Sequence, residues 1–128
     1  MLDVTCAIIF YEKKILVTQR SSTMSMPFKW EFPGGKVETS EREEDCLKRE
    51  ILEELNIEID IISRLSPNVH HYPTVTIRLI PFIVNFACGK IKLSEHIQFK
   101  TLHLNELSNL DWADADIPIL KEFLELYS

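Results

Sequence analysis

Glycine is scarce in this 128-residue chain: three residues, about 2% against roughly 7% in an average protein. Ordinary turns therefore fall to Asn, Asp, Ser and Pro, and each glycine needs a reason. Gly34 and Gly35 are adjacent, and Gly89 lies between two strand-like runs. Cysteine is equally sparse. Cys6, Cys46 and Cys88 are odd in number, widely spaced and without a Cys-x-x-Cys pair, which excludes a disulfide framework and a zinc site. All three read as small buried apolar residues. No stretch approaches the roughly 20 apolar residues of a membrane helix. Val4–Phe10, behind Met1-Leu2-Asp3, has neither the basic start nor the length of a signal peptide, so a cytoplasmic setting away from membranes is expected. Basic charge is lacking too: 14 Lys and Arg face 20 Asp and Glu, for a net −6. That is the wrong sign for a nucleic-acid groove. There is no repeat, low-complexity tract or linker. A 45% hydrophobic and 27% charged chain of this length is expected to form one compact domain over residues 1–128.

What is present is concentrated. Between Glu38 and Glu54 stand eight acids against three bases, a net −5 within seventeen residues. Around that run the chain reads as strands: Val4–Phe10 and Ile15–Gln19 across the turn Tyr11-Glu12-Lys13-Lys14, then Trp30-Glu31-Phe32 stopping at Pro33. Ser40 with Glu43 forms the pattern of a capping box, opening a helix over Glu41–Leu55 with Leu47, Ile51 and Leu55 on one stripe. Asn56 supplies the left-handed stop. Strands are expected again at Ile57–Ile62, Val75–Phe86, Lys90–Leu93 and Gln98–Leu104, with Pro81 marking an edge or bulge. A last helix from about Ile117 to Tyr127 turns Leu120, Phe123, Leu124 and Tyr127 inward. The pattern predicts a mixed α/β sandwich with mainly non-parallel pairing.

On the central helix Glu50, Glu53 and Glu54 are spaced i, i+3, i+4 and share one face. Such crowding destabilises a helix unless a positive partner sits among the carboxylates. A solvated face is one reading; a divalent-cation site, with hard cations taking carboxylate oxygens, is the other. Arg49 is placed to orient a carboxylate by a charge-assisted bond.

The surrounding spacing favours the second reading. From Gly35 the chain runs five residues to Glu41, seven to Arg49-Glu50, then Ile51, one residue, Glu53-Glu54, one residue, Asn56 and Ile57. This resembles the Nudix box, with Asn56 where the family has Gly. Six matched positions have chance odds on the order of 10⁻⁸ per window, which makes the signal specific. Trp30-Glu31-Phe32-Pro33-Gly34-Gly35-Lys36-Val37-Glu38 resembles the lead-in of the MutT branch, and Ile15-Leu16-Val17-Thr18-Gln19-Arg20 its second strand. Glu95-His96 resembles its later glutamate-bearing loop, and Ala115-Asp116-Ile117-Pro118 its base-recognising motif. Thr101 replaces a frequent Trp and Asp114 a frequent Pro. The likeness runs from Val4 to Tyr127.

The resemblance implies an α/β/α sandwich and Mg²⁺-dependent hydrolysis of a nucleoside triphosphate to monophosphate and pyrophosphate. Mg²⁺ or Mn²⁺ would be held by Glu50, Glu53, Glu54, the Gly34 carbonyl and Glu95. Glu53 is the first candidate for general base, ahead of Glu50 and Glu95, and Arg49 would hold the cluster. Arg20, Glu31, Phe32, Pro33, Lys36 and Asp116 would contact the substrate. Structural alternatives stand beside these roles: a surface ion pair for Arg20, core packing for Trp30 and Phe32, a solvated loop acid for Glu95, and a helix cap for Asp116. His70, His71, His96 and His103 show no ligand spacing and are assigned no chemistry. Oxidised purine nucleotides such as 8-oxo-dGTP are the leading substrates; CTP or a modified pyrimidine triphosphate is the rival. A non-catalytic nucleotide-binding module is the alternative of another class, disfavoured by the complete Arg49, Glu50, Glu53 and Glu54 set. The expected partner is a small nucleotide, not a polymer, bound by a monomer or weak dimer.

Overall fold

The computed structural model describes residues 1–127. Strand β1 (Leu2–Tyr11) turns back into β2 (Lys14–Gln19) through Glu12 and Lys13, both at positive φ. That is the primed two-residue turn that matches sheet twist, made here without glycine. Short strands β3 (Trp30–Glu31) and β4 (Gly34–Lys36) lead to helix α1 (Glu43–Leu55). Strands β5 (Ile57–Arg64), β6 (Asn68–His71), β7 (Thr76–Gly89) and β8 (Gln98–Leu102) follow. Two 3₁₀ turns, Leu104–Asn109 and Asp114–Asp116, precede α2 (Ile117–Tyr127).

The mixed sheet runs β3-β2-β1-β7-β5, with β4 on β1, β6 on β7 and β8 on β2. Among the described strands, only β1 and β7 form a parallel ladder, from Leu2 opposite Ile77 to Phe10 opposite Asn85; the other ladders are antiparallel. Both faces of β1 are covered, which is why Val4–Phe10 is continuously apolar instead of alternating. Ala7 and Ile9 join Leu47, Ile51 and Leu55 of α1 in one core. Cys6 and Ile8 join Trp30, Phe32, Trp112, Ile119 and Phe123 in the other, under α2. The result is the expected α/β/α sandwich.

Several local expectations are corrected. The capping box at Ser40 does not form: α1 starts at Glu43 with Arg42 before it and no side-chain cap. Ser40 sits at φ 65°, and Glu41 turns to accept from the Glu38 N–H and from Arg49. The arginine offers more than a cap would. Lys90–Leu93 is not a strand, because its amides are drawn to the open carbonyls ending α1: Lys92 N–H to Leu55 O at 2.9 Å and Ser94 N–H to Glu54 O at 3.1 Å. Pro81 marks neither edge nor bulge. It lies mid-strand opposite Cys6, and its carbonyl accepts from Leu65 N–H at 2.9 Å, so its missing N–H faces the join between β5 and β6. Cys6 and Cys46 are buried, but Cys88 is exposed near the end of β7, beside Glu58. On α2, Phe123, Leu120 and the unforeseen Ile119 are buried, whereas Tyr127 is 42% exposed with its ring packed on Phe10 and Phe123. Asn56 does stop α1 at φ 60°.

Candidate active site

Helix α1 carries the acidic face, and Arg49 organises it. Its Nε and Nη2 donate to the two carboxylate oxygens of Glu41 at 2.7 and 2.9 Å, a bidentate grip. Nη1 reaches Glu50 Oε1 at 2.8 Å and Glu53 Oε2 at 3.4 Å, and Nη2 also donates to the Lys36 carbonyl at 3.2 Å. The guanidinium holds the Glu41 carboxyl down to about 2, well below its ordinary range, mainly through the direct bond. One arginine thus ties the turn ahead of α1, the middle of the helix and the end of β4.

The three glutamates are not equivalent. Glu53 is the outermost, its side chain 59% exposed. Glu50 packs against Gly35 so closely that a Cβ there would collide with its carboxyl group. Burial raises the Glu50 carboxyl although Arg49 opposes it. Glu54 is the innermost. Its carboxyl is pushed up to about 8, first by burial and then by the charges of Glu31, Glu50 and Glu95, while the Gly34 N–H offsets little. Its Oε1 is buried without a hydrogen-bond partner among the described residues.

Among the described residues no three His, Cys, Asp or Glu stand close enough to hold a metal ion as they are. The donor set fits a hard divalent cation nonetheless. An orphaned buried carboxylate oxygen beside further carboxylates is a site where added positive charge relieves both desolvation and repulsion. Glu50 Oε1 is spent on Arg49 here, which accounts for the open arrangement.

Beside Glu54 opens a cavity of about 560 Å³ lined by Arg20, Glu31, Phe32, Tyr72 and Asp116 among others. Arg20 is both things foreseen for it: it pairs with Glu31 at 2.6 Å and lines the cavity. Its guanidinium also donates to Ser25 O and Oγ. Phe32 is core, its ring tilted against Trp112 at 4.7 Å between ring centres, and at the same time a cavity wall. Trp30 is buried core with Lys100 over its ring. Asp116 belongs to the second 3₁₀ turn, and its Oδ2 accepts from the Phe32 N–H at 2.9 Å. The carboxyl therefore bridges to β3's end instead of capping α2. Burial, with Glu31 adding to it, raises the Asp116 carboxyl well above its usual range, so it is protonated more readily than a surface acid.

Other expected site residues lie apart. Pro33 is buried outside the cavity, its carbonyl receiving the Ala7 N–H at 2.8 Å. Lys36 is exposed at the end of β4. Glu95 is exposed on its loop, yet near enough to Glu54 to raise its carboxyl. Two residues were not foreseen. Tyr72 lines the cavity with its hydroxyl accepting from Ala115 N–H at 3.3 Å. His96, assigned no chemistry, is buried against Glu31 at 2.8 Å. Only its adjacency to Glu95 hinted at this; nothing local marks Tyr72.

The chain matches the NUDIX domain over residues 1–123. It is similar to CTP pyrophosphohydrolase of Escherichia coli K12, 33% identical over 126 residues that span 98% of this chain and 93% of that protein. It is also similar to the 8-oxo-dGTP diphosphatase of the same organism, 29% identical over 126 residues and 98% of each chain. The solution structure of DNA mismatch repair protein MutT, a Nudix-family hydrolase from methicillin-resistant Staphylococcus aureus 252, superposes with a TM-score of 0.78 at 40% identity. That superposition covers 98% of this chain and 96% of the other. Fold and site thus define a hydrolase of small nucleotide substrates, the class in which divalent metal ions are generally used. The chain belongs to the Nudix family, and its activity is that of a Nudix pyrophosphohydrolase.

Proposed function

We propose that residues 1–128 act as a single cytoplasmic catalytic domain that hydrolyses a nucleoside triphosphate to the monophosphate and pyrophosphate. The carrying observation is the orphaned Glu54 oxygen at the junction of the Arg49-held carboxylates and the cavity. Mg²⁺ or Mn²⁺ would be held by Glu50, Glu53 and Glu54, with the Gly34 carbonyl and Glu95 completing the set. Bound there, it would neutralise the phosphate chain, polarise a phosphoryl oxygen and lower the pKa of the attacking water. Arg49 keeps Glu50 and Glu53 in place. Glu53, the most exposed of the three, is free to accept the proton of that water. The cavity takes the nucleoside, with Phe32 as an apolar wall, Arg20 and Glu31 at its rim and Asp116 on the base edge. Pro33 and Lys36 contribute through the backbone that shapes the loop.

The base is an oxidised purine of the 8-oxoguanine kind. A protonated Asp116 offers an O–H donor beside a carbonyl acceptor, matching an adjacent carbonyl and N–H on such a base. Cytosine presents a donor and acceptor that suit the same acid, and the Escherichia coli CTP pyrophosphohydrolase likeness supports that second reading. Comparing kcat/KM on 8-oxo-dGTP, dGTP and CTP with Mg²⁺ present separates the two. Preference for CTP over 8-oxo-dGTP would replace the first reading with the second, and turnover of none would refute both.

A further inference from the structure

We propose that His96 is a positioning residue: through Glu31 it seats the loop carrying Glu95 beside the glutamates of α1. Seating Glu95 matters only if Glu95 works with that cluster, as read above. The loop from Lys90 to Ile97 has no strand ladder to hold it. Its backbone is tied at Lys92 and Ser94 to the end of α1, and at Ile97 to Gln19 of β2, N–H to carbonyl at 3.0 Å. Glu95 lies between these ties, exposed and next to Ser94, whose N–H bonds the Glu54 carbonyl at 3.1 Å.

His96 supplies a side-chain hold between those ties. Its side chain is fully buried, and Nε2 lies 2.8 Å from Glu31 Oε2. The carboxylate acceptor sets the proton on Nε2. Nδ1 is buried without a partner among the described residues, so the ring's one polar tie among them is to Glu31. Glu31 is gripped from its other oxygen by Arg20 at 2.6 Å, and Arg20 in turn by Ser25. A chain of charge-assisted bonds, Ser25 to Arg20 to Glu31 to His96, therefore runs along the cavity rim into the Glu95 loop. The Arg20–Glu31 and Glu31–His96 bonds are part-buried and hold more firmly than surface pairs. The same chain couples the cavity wall to the metal-side loop, because Arg20 and Glu31 line the cavity.

The test is a double-mutant cycle with a metal-free readout. His96→Phe keeps a flat ring, though a larger one, and removes the Nε2–H; it should lower kcat about tenfold or more with KM little changed. His96→Gln, whose amide can donate to Glu31, should restore much of that loss. In the chelated protein, amide exchange at Ser94 and Ile97 should quicken in His96→Phe and stay slow in His96→Gln. The variant pairing His96→Phe with Glu95→Ala should be no slower than Glu95→Ala alone. Losses that multiply, or unchanged exchange at Ser94 and Ile97, overturn the positioning role. Wild-type kcat in Glu95→Ala overturns it through the reading beneath it, a separate and recognisable result. Should His96→Phe not fold, His96→Asn, too short to reach Glu31, takes its place with the same expectations.

Discussion

Replacing Asp116 separates its structural work from its work on the base. Its Oδ2 accepts from Phe32 N–H at 2.9 Å, and the two residues are only 5% and 2% exposed. Asp116→Ala leaves that N–H buried and unpaired, which costs about 1–3 kcal/mol. For a chain of this size that is roughly 3–5 °C in Tm per kcal/mol. Asp116→Asn keeps an acceptor of the same shape and should lose less than half as much. The pH dependence has a definite sign. Burial raises the carboxyl, so the folded protein holds this proton more tightly than the unfolded chain does. The stability it contributes is full below the ordinary carboxylate range and is lost as pH rises toward the raised value. Asparagine does not titrate, so Asp116→Asn should gain on wild type as pH is raised from about 4 toward neutrality. On the substrate side Asp116→Ala loses the donor and should lower kcat/KM for the preferred base by about 1–3 kcal/mol, or 5–150-fold, whereas Asp116→Asn puts an N–H donor in its place and should lose less. Thermal melts across pH and kcat/KM on 8-oxo-dGTP, dGTP and CTP measure the two effects in the same variants. If Asp116→Asn destabilises as much as Asp116→Ala at every pH, the acceptor bond is not what Asp116 contributes. An equal fall on all three nucleotides removes it from base recognition.

Three further substitutions probe the glutamate face. Glu53→Gln should lower kcat by about 10²–10⁴-fold while Tm holds, since Glu53 is exposed; near-normal kcat would pass the base role to Glu50 or Glu95. Arg49→Lys keeps the charge but cannot grip Glu41 with two nitrogens while holding Glu50, so steady-state kinetics should show at least a tenfold loss in kcat; full activity would mean that charge alone suffices. Gly35→Ala pushes a methyl group against the Glu50 carboxyl, so the concentration of Mg²⁺ giving half-maximal rate should rise; an unchanged metal requirement would show that Glu50 has room to move.

The helix bearing the glutamates was legible because two periodicities agree there: the Leu47, Ile51, Leu55 stripe and the Glu50, Glu53, Glu54 face. Its start was not. A Ser-x-x-Glu pattern speaks only for local capping, while Glu41 answers to Arg49, eight residues on. Lys90–Leu93 has strand-like alternation, but the open carbonyls of α1 decide its path. Asp116 was marked by its motif, yet its partner Phe32 lies 84 positions away, a distance no window spans. His96 was invisible for the same reason: one histidine has no spacing to read, and its meaning comes from Glu31 across the fold.

The most direct measurement is the product balance of one turnover series. Nucleoside triphosphate is incubated with the protein and Mg²⁺, with and without EDTA, and nucleotides and inorganic products are quantified together. The carboxylate face and cavity described here predict one monophosphate and one pyrophosphate per triphosphate consumed, with turnover abolished by the chelator and restored by excess Mg²⁺. Diphosphate with orthophosphate as the products, or undiminished turnover in EDTA, would contradict it.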